Sequence, residues 1–133
     1  MTIDELMKEL ENYKSGETSR SYDLPAFSYE NDYIACARLD DSNKWIDDNK
    51  TAMIKTWTIV YHPKKDFQHL PNFIQLKSRT DIDIKKFTPK KEKYKNLKDC
   101  YGIKIYGMKQ KPNEDIIRKI LDFIFLEDEE ESN

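Results

Sequence analysis

Glycine is scarce in this sequence, with three residues among 133. A phosphate-cradling loop needs glycines in close succession, and the GxSxG turn needs them on both sides of its serine; neither device is present. Histidine is rarer still: His62 and His69 flank a proline-containing turn. Cysteine is limited to Cys36 and Cys100, far apart and each in an apolar, strand-like context. That set matches no zinc signature and no disulfide scaffold, and neither thiol has a sequence-evident histidine partner for nucleophilic catalysis. Both cysteines read as buried structural thiols of a reducing compartment. No apolar run reaches the roughly 18 residues of a membrane-crossing helix. The N-terminal MTIDELMKEL is acidic and amphipathic, unlike a signal peptide. A cytoplasmic protein without membrane association is expected.

The chain does have enough apolar material for a core, at 38% of residues, with 12% aromatic, despite 36% charged. Its length fits one domain. The net charge of −2 conceals a division. Residues 1–50 hold 12 acids and 6 bases, residues 51–111 hold 5 acids and 15 bases, and residues 112–133 hold 8 acids and 2 bases. A basic middle between acidic ends can create a field that the net charge hides.

Along the chain, TIDE at Thr2–Glu5 has the form of a capping box, and Ile3, Leu6, Met7 and Leu10 then recur at helical spacing until Ser15 and Gly16. Pro25 forces an extended or turning chain between two aromatic residues. YIACARL at 33–39 predicts a strand. The polar 40–50 predicts a connection, with Trp45 and Ile46 as its apolar pins. AMIKTWTIVYH at 52–62 predicts the strongest strand, ended by Pro63. A short strand is expected around Phe73–Lys77, a short helix capped by Thr80 over 80–87, and a final strand over 101–108. Asn113 is a good N-cap, acids follow it, and Ile116, Ile117, Ile120, Leu121 and Ile124 share one helical face. The expected fold class is α+β: a single, mostly antiparallel sheet with an N-terminal and a C-terminal helix packed on it. Residues 1–126 are expected to form the domain, and the acidic 127–133 a disordered tail.

The strongest charge feature is the lysine-rich segment 85–98, with seven lysines. Phosphate binding needs several cations on one surface, and single-strand binding adds exposed aromatic rings for stacking. Phe87, Tyr94, Tyr101 and Tyr106 are interleaved with the cations. The candidate nucleic-acid residues are Lys85, Lys86, Lys90, Lys91, Lys93, Tyr94, Lys95, Lys98 and Tyr101. Against this, no arginine lies between Arg79 and Arg118, and arginine is the commoner reader of base edges. A lysine run is also the ordinary composition of a solvated approach to a strand. The acidic tail either screens this basic region, docks a basic partner or simply solubilises the chain end.

Other chemistry is thinner. Acidic groups such as Asp4, Glu5, Glu9 and Glu11, or Asp40, Asp41, Asp47 and Asp48, offer oxygen ligands for a hard cation or weakly held iron, but also suit plain solvation. Gln75–Lys77 at a strand end is compatible with a metal-dependent nuclease in which Lys77 stabilises charge beside a metal. Asp66 is the nearest upstream acid, and no Glu occupies the first position, which leaves the ligand set small.

Two stretches carry a family resemblance. SYDLPAFSYENDYIACARL at 21–39 resembles the "SYxxPxFxYxGxxLxxxA" opening of the YdhG-like family of small α+β proteins. KYKNLKDCYGIKIYGMKQKPNEDIIRKILDF at 93–123 resembles that family's ending, and YjbR-like proteins are similar in outline. Together these stretches cover 50 of 133 residues; the middle, from Asp40 to about Lys90, does not match. The resemblance implies a single sheet with flanking helices, with Pro25 and Phe27 as fold residues. It also brings a frataxin-like role in iron handling and a DNA-binding label, without catalytic residues to carry over.

The functional expectation is a small non-enzymatic binding protein acting on another macromolecule, with no cofactor. Its size and composition also fit an accessory protein of a phage or mobile element. A protein partner is expected first. Nucleic-acid binding through 85–98 and frataxin-like iron handling are the alternatives, and a nuclease using Lys77 trails.

Overall fold

Thr2 opens the first helix as the sequence predicts: its hydroxyl accepts from the backbone N–H of Glu5 at 3.2 Å. Helix α1 runs Ile3–Ser15 and buries Leu6 and Leu10. The computed structural model describes residues 1–29, 33–47, 50–62, 68–88, 90 and 100–125. After α1 come strands β1 (Tyr22–Tyr29), β2 (Tyr33–Asp47) and β3 (Lys50–Tyr61), helix α2 (Pro71–Lys77), strands β4 (Ile82–Phe87) and β5 (Cys100–Tyr106), and helix α3 (Glu114–Phe125). The strands form one antiparallel sheet in the order β1-β2-β3-β5-β4. The fold is α+β, with an N-terminal and a C-terminal helix on the sheet.

The register explains the core. Leu39, Trp57, Ile105 and Ile82 are cross-strand partners in one row, and Ala37, Ile59, Ile103 and Ile84 in the next. Because side chains alternate across a pleated strand, both rows point to one face. All eight are buried, as are Ile116, Ile117, Ile120, Leu121, Phe123 and Ile124 of α3. Asn113 caps α3 by accepting from the N–H of Ile116 at 2.9 Å. Trp57 lies at the centre, with its indole N–H donating to the Gln110 carbonyl at 2.8 Å and its ring edge-on to Tyr13. The Tyr29 hydroxyl donates to Asp122 at 2.6 Å, and Arg118 donates to the Ser28 carbonyl at 2.8 Å, tying the edge strand β1 to α3.

Pro25 lies inside β1 at a β-bulge: Leu24 pairs with Ala37 and Phe27 with Ala35, so β1 carries one extra residue. An edge strand is where a residue without an N–H fits. Gly107, at φ 84°, supplies the left-handed turn after β5.

Three sequence expectations are corrected. Residues 40–47 are strand, not a connection: β2 continues beyond the sheet and pairs with β3, as Asp41 with Lys55 and Asn43 with Met53. A two-stranded ribbon wetted on both sides shows no apolar alternation, which is why its sequence reads as loop. Trp45 is not an apolar pin there; it is 62% exposed. Residues 73–77 belong to a helix rather than a strand. Pro71 suits its first turn, and Asn72, Phe73 and Leu76 are buried together, a spacing that a strand would split between faces. Residues 82–87 form a strand rather than a helix, with Ile82 and Ile84 buried and Asp83 and Lys85 exposed in period-two alternation. Pro63 and the tail 127–133 lie outside the described residues.

Candidate functional site

The helices occupy one face of the sheet, and the opposite face carries the functional candidates. On that face the register sets Asp23, Arg38, Thr58, Lys104 and Asp83 in one row and Cys36, Val60, Gly102 and Lys85 in the next. Phe87, 38% exposed, belongs to the same face. Its ring lies over Gly102, where a side chain would meet the ring carbon Cε1 at 3.4 Å.

Phe87 borders two adjoining hollows. One, of about 390 Å³, has an apolar floor of Leu24, Pro25, Ala26, Cys36, Val60 and Phe87, with Arg38 and Lys90 also in its lining. The other, of about 280 Å³, lies between Phe87 and Tyr106 and is lined by Lys85 and Lys104. Both share Thr58 and Val60, so they form one broken trough across β3. The bulge at Pro25 matters here, because it brings Pro25 and Ala26 into the wall.

The charges of the trough are unequal in their commitments. Arg38 donates to Asp40 at 3.0 Å and has Asp23 at 4.0 Å. Asp83 accepts from the Tyr106 hydroxyl at 2.9 Å. Burial, and then that bond to the Asp83 carboxylate, push the Tyr106 hydroxyl above its ordinary range, so it remains a donor at neutral pH. The Lys44 ammonium lies over the Tyr106 ring, 4.3 Å from its centroid. Lys85, Lys90 and Lys104 have no carboxylate at ion-pair distance among the described residues. These three ammonium groups give the trough its available positive charge.

The sequence candidates separate accordingly. Lys85 and Lys90 line the trough. Lys86 is on the opposite side of β4, opposite Tyr101. Tyr101 is 5% exposed in the core, where its hydroxyl accepts from Gln68 at 2.6 Å, so its ring is not available for stacking. Lys91, Lys93, Tyr94, Lys95 and Lys98 lie outside the described residues. Among the described residues, Phe87 and Tyr106 are the rings of the basic region that reach the trough. Arg38, Thr58, Val60 and Lys104 are not singled out by sequence, because they come from three strands and meet only through pairing; Cys36, read there as a buried thiol, is half-buried and lines the trough, while Cys100 is buried as expected. Alternation within β5 is the one signal that sets Lys104 on the face opposite the isoleucines.

The other candidates are dispersed. Gln75 and Lys77 project from α2, not from a strand end, with the Lys77 ammonium 6.0 Å from the Phe73 ring centroid. Asp66 and Asp48 lie outside the described residues. Asp4 and Glu5 are in the first turn of α1, and Glu9 pairs with Lys119 at 3.3 Å. Among the described residues no three His, Cys, Asp or Glu side chains come together as a metal-holding group. Cys36 and Cys100 are thiols rather than a disulfide pair. Among the described residues no helix is long and apolar enough to cross a membrane.

Comparison with protein-family models, curated proteins and solved structures finds no match to this chain.

Proposed function

We propose that this is a non-enzymatic binding protein whose uncovered sheet face receives an extended partner segment bearing apolar and acidic side chains. The observation that carries this reading is the trough itself: an apolar floor around Val60 and Phe87 beside Lys85, Lys90 and Lys104, which have no carboxylate at ion-pair distance among the described residues. Apolar contact supplies affinity, and lysines beside it select negative charge and speed encounter. A protein segment is the occupant favoured here, because a floor of aliphatic and proline side chains suits side-chain docking better than base stacking.

The test is capture on immobilised protein after nuclease treatment, followed by titration of the purified partner. The Lys85→Glu/Lys104→Glu variant should weaken a true trough partner at least tenfold, with Ile74→Ser on the exposed side of α2 as the neutral control. Equal binding by all three proteins would move the site elsewhere.

A second reading has its own observation. Phe87 and Tyr106 are partly exposed rings beside Lys85 and Lys104, the combination that single-stranded nucleic acid uses. It calls for salt-sensitive binding of a labelled single strand that falls with Phe87→Ala. An unchanged signal in Phe87→Ala would end this reading.

A further inference from the structure

The two hollows of the trough differ in what they can hold. The larger is lined by Leu24, Pro25, Ala26, Cys36 and Val60 of β1, β2 and β3, and at about 390 Å³ it has room for a bulky apolar side chain. Its Arg38 is engaged by Asp40 at 3.0 Å and Asp23 at 4.0 Å, and Lys90 is the remaining charge in its lining. The smaller is lined from β3, β5 and β4 and contains Lys85, Lys104 and Asp83. Asp83 already accepts from the Tyr106 hydroxyl at 2.9 Å. Two ammonium groups against one carboxylate leave one positive charge, which a single visiting carboxylate balances.

Phe87 divides the two. It belongs to β4, at the edge of the sheet, yet it lines the larger hollow as well as the smaller, because Gly102 leaves the space over β5 to its ring. Tyr106 lines the smaller hollow as a second ring. Aromatic ridges with a slot between them suit a polyproline II chain, whose stiff backbone loses little entropy on binding. The strand order fixes the spacing. The larger hollow spans β1 to β3 and centres on β2; the smaller spans β3 to β4 and centres on β5. Their centres therefore lie two strand spacings apart, about 10 Å. In polyproline II, three residues advance about 9.3 Å and return to the same side of the chain. In a β-strand, same-side neighbours are about 7 or 13 Å apart, short of the second hollow or past it. A strand lying over this face also finds no ladder to join, since β2, β3 and β5 are interior strands paired on both sides.

We infer that the trough reads a protein segment in polyproline II conformation, with an apolar side chain in the larger hollow and a carboxylate three residues away in the smaller. This rests on the trough being a partner site, and it adds the conformation and spacing of what that site takes. Lys85 and Lys104 hold the acid, and Phe87 packs against the two intervening residues.

The probes are blocked proline-rich peptides carrying one leucine and one glutamate, spaced as Leu-Pro-Glu, Leu-Pro-Pro-Glu and Leu-Pro-Pro-Pro-Glu. Each is titrated calorimetrically into the full chain, beside the partner captured after nuclease treatment. Leu-Pro-Pro-Glu should bind about tenfold tighter than the other two, and lose about tenfold when its glutamate becomes glutamine. Lys85→Glu/Lys104→Glu should lose that preference and bind instead the same peptide with lysine in place of glutamate, a recovery that an unfolded variant could not show. Equal binding of the three spacings, or a preference for the shorter or the longer, overturns the polyproline II register. If no peptide binds while the captured partner still depends on Lys85 and Lys104, this inference falls alone and the trough remains a partner site. A captured partner indifferent to both lysines removes the trough reading, and this inference with it.

Discussion

Phe87 rests on Gly102. The two residues are diagonal neighbours on adjacent strands, two residues apart in register, and the ring borders the space that a side chain at 102 would fill. Gly102→Ala places a methyl 3.4 Å from Cε1, a contact that a small tilt of the ring relieves. Gly102→Val does not leave that room. The β-branched residue suits a central strand better than glycine, so the thermal midpoint should stay within a few degrees of wild type. Partner binding should nevertheless fall about tenfold, near 1.4 kcal/mol, as Phe87 is displaced. Calorimetric unfolding together with partner titration checks both halves. A binding constant unchanged in Gly102→Val would remove Phe87 from the site.

Trp57 should dominate the stability of the fold. It is fully buried, donates to Gln110 and meets Tyr13 edge-on. Trp57→Ala should cost about 3–5 kcal/mol. Trp57→Phe keeps most of the volume but leaves the Gln110 carbonyl without its donor, for a smaller loss of about 1–3 kcal/mol. Urea unfolding of the two variants measures the difference; equal losses would assign the effect to volume alone.

Asp81 should govern part of the acid sensitivity. Burial alone would push its carboxyl up, but hydrogen bonds from Arg79 at 2.9 Å and Lys14 at 2.8 Å outweigh that and hold it at about 2. A depressed folded-state value means that the contribution is present above the unfolded-state value, near 4, and disappears as pH falls through about 2. Asp81→Asn should therefore destabilise at neutral pH and show a shallower loss between these limits. Denaturant midpoints taken at several pH values report the slope, and parallel curves for the two proteins would exclude Asp81 as the source.

The cap of α3 is a smaller, cleaner test. Asn113→Ala removes the acceptor of the Ile116 N–H and a donor to the Tyr13 hydroxyl. A loss of about 1 kcal/mol is expected, and Asn113→Asp should restore the cap while leaving Tyr13 without its donor. Thermal unfolding of both variants distinguishes the capping bond from the tyrosine contact.

Much of the fold could be read from periodicity, and the failures have physical causes. Thr2, Asn113 and the isoleucines of α3 act through local geometry, which sequence carries directly. Residues 71–77 and 82–87 are short, and in a short apolar run helix and strand differ only by which residues find neighbours. Phe73 and Leu76 decided one case and the Ile82–Ile84 alternation the other. The trough was less legible. Lys85, Lys90, Phe87 and Tyr106 were visible as basic and aromatic residues, but their partners Arg38, Val60 and Lys104 are brought beside them only by the strand order. Tyr101 shows the same limit in reverse: it lies an odd number of residues from both Lys104 and Tyr106, and so falls on the helix side while they fall in the trough.

The bulge at Pro25 has a consequence for how anything can attach to this molecule. A visiting chain that tried to join the sheet as a sixth strand along β1 would meet a ladder interrupted at its fourth residue, where the proline offers no donor and the register slips by one. Growth along that rim is therefore discouraged, and with it the edge-to-edge stacking that turns open sheets into aggregates. On that side of the sheet a guest arrives from above, across the strands, and is recognised by its side chains rather than by its backbone.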